Sequence, residues 1–526
     1  MRRLLLAVLV LAALALPAVG QEPADTFGES IDVRVVNVEA VVTDRSGRRV
    51  GGLSAGDFRL LVDGREVPIE FFSEIVEGEA VSPPAEEESA ETPAPAPVTA
   101  RQGRSVLVFI DESFSVITHR NQVLRHMVED LALLGPEDEM AVVAFDGLRI
   151  DRLSGWSGDT AALAEVFKAA AERPSWGIRI VAARRSEAGS RELQAEAASQ
   201  DGDDAFSPGE IGSVSEIRDQ ARRMLAPSPA IYSRYVQVPE AASAALRAFA
   251  GEARGRKVLL YLSGGPSSPA LARDANQLGF TIYPVDVQGI DTTVISNDAA
   301  SAGPGPLLFD PTERLTEERL EALALATGGK VSLNGNRERA LERAVEDTRA
   351  YYWLGFTPYW RGDNRSHSIR LEMRRRELTA RSRKSFLDLS PMRETARRTE
   401  EILMLGGKAQ SRLLRVELGT PEPAGARQVR IPVYLDVPFE ALTPLPQAEG
   451  FAARAILSSG AVDKDGGRSG LTQVPLYLAL PQAPAPGSFA KLTTTVTVRR
   501  AEQRLVFTLR DPVTDTVLWG ETEFRP

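Results

Sequence analysis

The sequence predicts an α/β doubly wound central domain, preceded by a small N-terminal β module and followed by an all-β sandwich. Three observations lead there. Between residues 104 and 350, short apolar runs such as Val106–Ile110 alternate with segments of helical periodicity, as strands joined by crossover helices do. Valine-rich stretches of period two crowd the first 75 residues. From Arg412 onward, strand-like runs separated by turns fill the chain, at a spacing that suggests a sandwich.

At 526 residues the chain exceeds a single domain. With 43% hydrophobic and 25% charged residues it reads as globular. A net charge of -10 supplies no basic footprint, which argues against a nucleic-acid partner. The opening MRRLLLAVLVLAALALPAVGQE carries two arginines, an apolar core from Leu4 to Leu16, and small residues after it. This pattern predicts a secretory signal peptide over residues 1–20, cleaved after Gly20. The alternative, an uncleaved anchor, has an apolar core that is short for a span. Without cysteine there is neither a disulfide nor a lipid-attachment site. No later run is long or apolar enough to cross a membrane. The expectation is an exported protein, periplasmic or extracellular, with no membrane span after cleavage.

Residues 25–76 form the predicted β module, with strands at Ile31–Thr43, Phe58–Val62 and Val67–Ile75 and a tight turn at Asp63-Gly64; it is thin for a core of its own and is expected to pack on a neighbour. Residues 77–103 are rich in Pro, Ala and Glu and read as a linker. The central domain, residues 104–390, alternates strands at Val106–Ile110, Met140–Phe145, Val258–Leu262, Thr281–Val287 and Lys330–Leu333 with helices. Those helices fall at Gln122–Leu134, Thr160–Glu172, Ala242–Gly251, Pro269–Leu278, Glu317–Ala326 and Arg337–Ala350. Insertions at 178–235 and 289–311 are too long for plain connections. A charged helical connector over 391–411 leads to the sandwich at 412–526.

The run Val106–Ile110 ends in the D-x-S-x-S of Asp111, Ser113 and Ser115, at the end of a strand where open α/β sheets place their ligand sites. One carboxylate and two hydroxyls suit a hard cation, Mg²⁺ or Mn²⁺. The alternative for Asp111 is a carboxylate that caps the next helix or bonds loop amides. The stretch SVLVFIDESFS resembles the metal-ion-dependent adhesion motif of von Willebrand factor type A (VWA) domains. VVNVEAVVTDRSGRRVGGLSAGDFRLLVDG and the closing YYWLGFTP…RKSFLDL resemble bacterial secreted "VWFA-related" proteins. The likeness spans residues 31–75 and 104–390. It implies a VWA/Rossmann-like fold, a metal held by Asp111, Ser113 and Ser115, and a protein partner whose Asp or Glu completes the coordination. It also implies a threonine from a second loop and a second aspartate. Here Ser263 and Gly264 stand where the family has Thr and Asp, and no threonine occurs between Thr160 and Thr281. Ser175 is left as the substitute hydroxyl, and Glu112 or an acid from the insertions as the spare charge. Losing one carboxylate lowers the affinity for a cation that dehydrates reluctantly.

Other motifs read as structure. Arg361-Gly362-Asp363 is a chance turn, Asp463-Lys464-Asp465-Gly466 a hairpin turn without the distal Glu of a Ca²⁺ loop, and Asp201, Asp203 and Asp204 a solvated acidic loop. His119 and His126 belong to no metalloprotease motif, and no nucleophile elbow, phosphate loop or dinucleotide fingerprint is present. Ser113 has no general base nearby in sequence. The expected function is therefore non-enzymatic protein–protein interaction or adhesion. The rivals are a structural envelope scaffold with a vestigial metal site and, behind it, an Asp/Ser-based envelope hydrolase.

Overall fold

A computed structural model describes residues 35–81, 102–179, 229–264, 267–288, 311–405, 414–447, 450–463, 468–514 and 516–526. The predicted signal peptide, most of the 77–103 linker and most of both insertions lie outside these residues.

The first strands are β1 (Val36–Thr43), β2 (Phe58–Val62), β3 (Arg65–Val67), β4 (Phe71–Val76) and β5 (Glu79–Val81). They do not close on themselves. Their partners are β11 (Ala350–Phe356), β12 (Arg365–Met373) and β13 (Thr379–Ser382), about 300 residues later in the chain, and β14 (Ser385–Asp388) joins through β12. Two wholly antiparallel sheets result, in the orders β13-β1-β11-β4-β5 and β14-β12-β2-β3. One apolar cluster spans both, with Val38, Phe58 and Leu60 against Tyr352, Leu354 and Ile369.

Between these segments lies a sheet of β6 (Arg104–Asp111), β7 (Glu139–Phe145), β8 (Ile150–Arg152), β9 (Arg256–Leu262) and β10 (Phe280–Val285), in the order β10-β9-β6-β7-β8. Three of its pairings are parallel, and β8 closes one edge antiparallel. Strand β6 is apolar on both faces, and its alternation decides which side each residue packs on. Leu107 and Phe109 join the cluster built with α3 (Pro229–Ala250), α4 (Pro269–Leu278) and α5 (Pro311–Thr327). Val106, Val108 and Ile110 join the one built with α1 (Ile117–Asp130), α2 (Thr160–Glu172) and α6 (Ala340–Asp347). Local chemistry sets the helix ends. Asp159 accepts from the amides of Ala161 and Ala162 at the start of α2, and Ser268 and the left-handed Gly279 (φ 78°) bracket α4.

Beyond α7 (Pro391–Leu405) the described residues form, besides a 3₁₀ turn at Phe439–Ala441, the strands β15 (Arg415–Leu418), β16 (Glu422–Pro423), β17 (Gln428–Pro438), β18 (Leu445–Gln447), β19 (Gly450–Asp463), β20 (Thr472–Leu480), β21 (Phe489–Arg499), β22 (Gln503–Arg510) and β23 (Val517–Phe524). These make two antiparallel sheets over a shared core of Ile431, Val433, Leu457, Phe507 and Leu509.

The α/β doubly wound, VWA/Rossmann-like class expected from sequence is corrected by this architecture. Among the described residues strands outweigh helices, and four of the five sheets are antiparallel throughout. Among the described residues parallel pairing is confined to β10, β9, β6 and β7 and a single bridge from Val285 of β10 to Ser332. Strands β11–β14 continue the local alternation of the central segment and so read as part of it. Strands β11, β12 and β13, however, pair with β1, β2 and β4, and β14 pairs with β12. The N-terminal strands likewise belong to two sheets completed from 350–388.

Candidate functional site

Asp111, Ser113 and Ser115 lie together at the end of β6, all fully buried. Asp111 Oδ1 accepts from the amides of Ser113 (2.9 Å) and Phe114 (3.3 Å), and Oδ2 accepts from Ser263 Oγ (2.6 Å). Burial pushes the carboxyl up to about 7, against the downward pull of the Ser263 hydroxyl and the two amides. Ser115 Oγ donates back to the carbonyl of Asp111, and Ser175, the candidate substitute, donates its hydroxyl to the carbonyl of Ser115. Ser113 Oγ alone is buried without a hydrogen-bond partner.

The surroundings brace this loop on every side. The amides of Trp176 and Gly177 bond the carbonyls of Glu112 (2.8 Å) and Ser115 (3.1 Å), and the amide of Val116 bonds Val287 O (2.9 Å). Arg120, fully buried, caps the last carbonyls of α2 through Ala171 (3.2 Å) and Arg173 (2.8 Å). Glu112 is spent on Arg173, whose guanidinium also reaches Asp151 at 2.6 Å. At Gly264 an added Cβ would stand 2.0 Å from Gln288 Cβ and 2.8 Å from the carbonyl of Phe114, so no carboxylate has room there.

These residues do not fit a Mg²⁺ or Mn²⁺ ion. One carboxylate whose charge is disfavoured by burial and one spare hydroxyl are what remain, where a hard dication wants several charged oxygens. The arrangement matches the other reading of Asp111, a carboxylate that bonds loop amides. Among the described residues no base bonds Ser113 Oγ, and both Asp111 oxygens already accept hydrogen bonds.

A second constellation was not anticipated. His367 in β12, Asp363 in the preceding turn and Asp388 at the end of β14 offer ligand atoms within 4.8 Å of one another, and Asp63 from the β2–β3 turn bonds the same imidazole. The sequence shows only the i,i+4 spacing of Asp363 and His367; the other members lie too far off in the chain for any local pattern to join them. Elsewhere, His126 sits beside Glu129 and Glu338, and His119 Nδ1 meets the carbonyl of Gln288 at 2.6 Å. Asp201, Asp203 and Asp204 lie outside the described residues, as do Lys464 and Asp465.

No family model and no curated protein matches the chain. Among solved structures, a Bacteroides uniformis β-glucuronidase is similar over 21% of this chain and 13% of its own, at 15% identity and a TM-score of 0.15. A protein from Archaeoglobus fulgidus is similar over 22% of this chain and 94% of its own, at 11% identity and a TM-score of 0.13. The three N-terminal domains of the type V pili tip protein Mfa5 from Porphyromonas gingivalis are similar over 89% of this chain and 77% of theirs, at 11% identity and a TM-score of 0.23. Scores this low carry no argument about fold or function, and none of these likenesses bears on the VWA resemblance. No helix among the described residues is long and apolar enough to cross a membrane.

Proposed function

We propose that the chain is an exported, non-enzymatic protein that binds an extended segment of a protein partner along strand β21. Export rests on the leader-like residues 1–20. The carrying observation is an unequal pair of sheet edges in the C-terminal strands. Among the described residues β20 pairs only with β19 and β21 only with β17. An unpaired edge is a template for another strand, and proteins blunt such edges with proline, charge or bulges. Strand β20 carries Pro475 in its middle. Strand β21 is 11 residues long and has no proline. Its central LTTTV is uncharged and β-prone, with Lys491 and Arg499 only towards its ends. Main-chain pairing along such an edge supplies affinity, and alternate side chains supply selectivity. The outward residues Thr493, Thr495 and Thr497 are exposed, while Leu492 and Val496 pack on the core. The closed D-x-S-x-S loop favours a partner surface away from Asp111, and it equally suits the scaffold reading.

A displayed library of short random peptides, selected on the mature protein, tests this. The expected result is enrichment of extended, alternating peptides that are released by the double substitution Thr493→Lys/Thr495→Lys, with circular dichroism unchanged. Enriched peptides that bind the double variant equally well, or no enrichment at all, overturn the reading.

A further inference from the structure

The geometry points to a divalent metal site formed by Asp363, His367 and Asp388, suited to a borderline ion such as Zn²⁺. It does not depend on the function proposed above. One imidazole nitrogen and two carboxylates make a mixed N/O donor set of the kind Zn²⁺ accepts, and three protein ligands leave a position open. A tetrahedral ion with bonds of about 2.1 Å sets its ligand atoms about 3.4 Å apart. His367 Nε2 and Asp363 Oδ1 stand 3.5 Å apart.

The donors are held in place from outside. His367 Nδ1 lies 2.7 Å from Asp63 Oδ2, so in the metal-binding tautomer Nδ1–H donates to Asp63 and Nε2, 3.5 Å from Asp363 Oδ1, keeps its lone pair for the ion. A carboxylate behind a ligating histidine is the usual support for such a nitrogen. Phe386 stacks on the imidazole at 5.1 Å and fixes its plane. Asp388 is oriented by the amides of Arg361 (2.6 Å) and Gly362 (3.0 Å), and Asp363 by the amide of Arg365 (2.9 Å).

Charge supplies the independent reason. Several buried carboxylates elsewhere in this chain meet arginine, as Asp138 meets Arg104, Asp274 meets Arg247 and Arg397, and Asp347 meets Arg381; Asp111 meets loop amides and a hydroxyl instead. Asp388 is 1% exposed, yet among the described residues no lysine or arginine pairs with it, with Asp363 or with Asp63. Three carboxylates converge on a single imidazole, and a dication balances them. Asp363 and His367 are partly exposed, which leaves an entry path.

The rival is a metal-free cluster in which a protonated His367 bridges Asp63 and Asp363. Titration of the untagged mature protein with Co²⁺, followed by Zn²⁺ competition, separates the two. The expected result is one Co²⁺ per chain with visible d–d absorption, displaced by Zn²⁺. The signal should vanish in His367→Ala and weaken by at least about tenfold in Asp363→Asn, and affinity should fall about 10- to 100-fold in Asp63→Asn. His126→Ala, which removes the other histidine flanked by glutamates, should leave it unchanged. Circular dichroism confirms that each variant folds, and Asp363→Asn carries the test should His367→Ala not. No binding at millimolar Co²⁺, or binding unaffected by Asp363→Asn and Asp63→Asn, overturns the site in favour of the histidinium bridge.

Discussion

Asp111 shows how one residue can look like a ligand and act as a structural knot. Its carboxyl is raised to about 7 because burial disfavours the charge more than Ser263 and two loop amides favour it. Below about pH 4 the group is protonated in both folded and unfolded chains and imposes no cost. As pH rises towards 7 only the unfolded chain releases the proton, so stability falls through that window and levels off above it. The gap from the ordinary 3.8 to about 7 corresponds to on the order of 4 kcal/mol. Asp111→Asn keeps an oxygen for the Ser113 and Phe114 amides and can donate to Ser263. The variant should therefore match the parent at pH 4 and exceed it in stability at pH 8. Urea unfolding across that range, taken as a difference between the two proteins, checks this; a variant less stable at pH 8 would reverse it. The D-x-S-x-S pattern and its position were legible, because a buried strand followed by a loop is a local feature. The bonding state was not, because Ser175, Ser263 and Gly264 act on the loop from far along the chain.

At the scale of elements, local pattern again read well and partnership did not. Helices α2 and α4 occupy the predicted Thr160–Glu172 and Pro269–Leu278, each with a capping residue written beside it. The predicted strand at Lys330–Leu333 is reduced to one bridge, Ser332 with Val285, before a 3₁₀ turn at Asn334. The connector predicted over 391–411 is helix α7 through Leu405, and residues 406–413 lie outside the described ones. Its role as a packing element was invisible. Leu403 is buried with Val506 and Trp519 and fills the space over Gly460, where a Cβ would come within 2.7 Å of it. Thr399 Oγ1 meets Thr508 Oγ1 at 2.7 Å, and Arg510 meets Glu394 at 2.6 Å. On its other side α7 reaches α4 through Arg397 and Asp274 at 2.7 Å. Leu403→Ala should thus cost about 2–5 kcal/mol, read as a lower urea midpoint, because the helix and sheet framing the hole cannot both close on it. An unchanged midpoint would mean that α7 merely lies against the sandwich.

Across the whole molecule, the N-terminal strands and residues 350–388 are halves of one sandwich, with the segment that forms the β6–β10 sheet inserted between them in the chain. Buried charges tie the layers together. Arg256 in β9 pairs with Glu39 in β1 at 2.9 Å and lies 4.3 Å over the ring of Tyr351 in β11. Arg381 in β13 and Lys330 reach Asp347 at the end of α6 at 2.6 and 2.8 Å. Burial would raise the Asp347 carboxyl, but these two cations outweigh it and hold it well below the usual range. Segments this far apart meet only after a large loop is closed, so the sandwich should form late in folding. Residues 25–103 alone should be unfolded by circular dichroism, since β1 and β2 would each lack a neighbour and some fifty ordered residues bury too little apolar surface. Residues 102–526 alone should be soluble only poorly, with β11 and β12 exposing the faces of Tyr352, Leu354 and Ile369. Mixing the two pieces should restore the sandwich, seen as protection of the amides of β11 from hydrogen exchange. A stable, dispersed spectrum from residues 25–103 alone would instead establish an independent module and make the pairing with 350–388 a docking between finished parts.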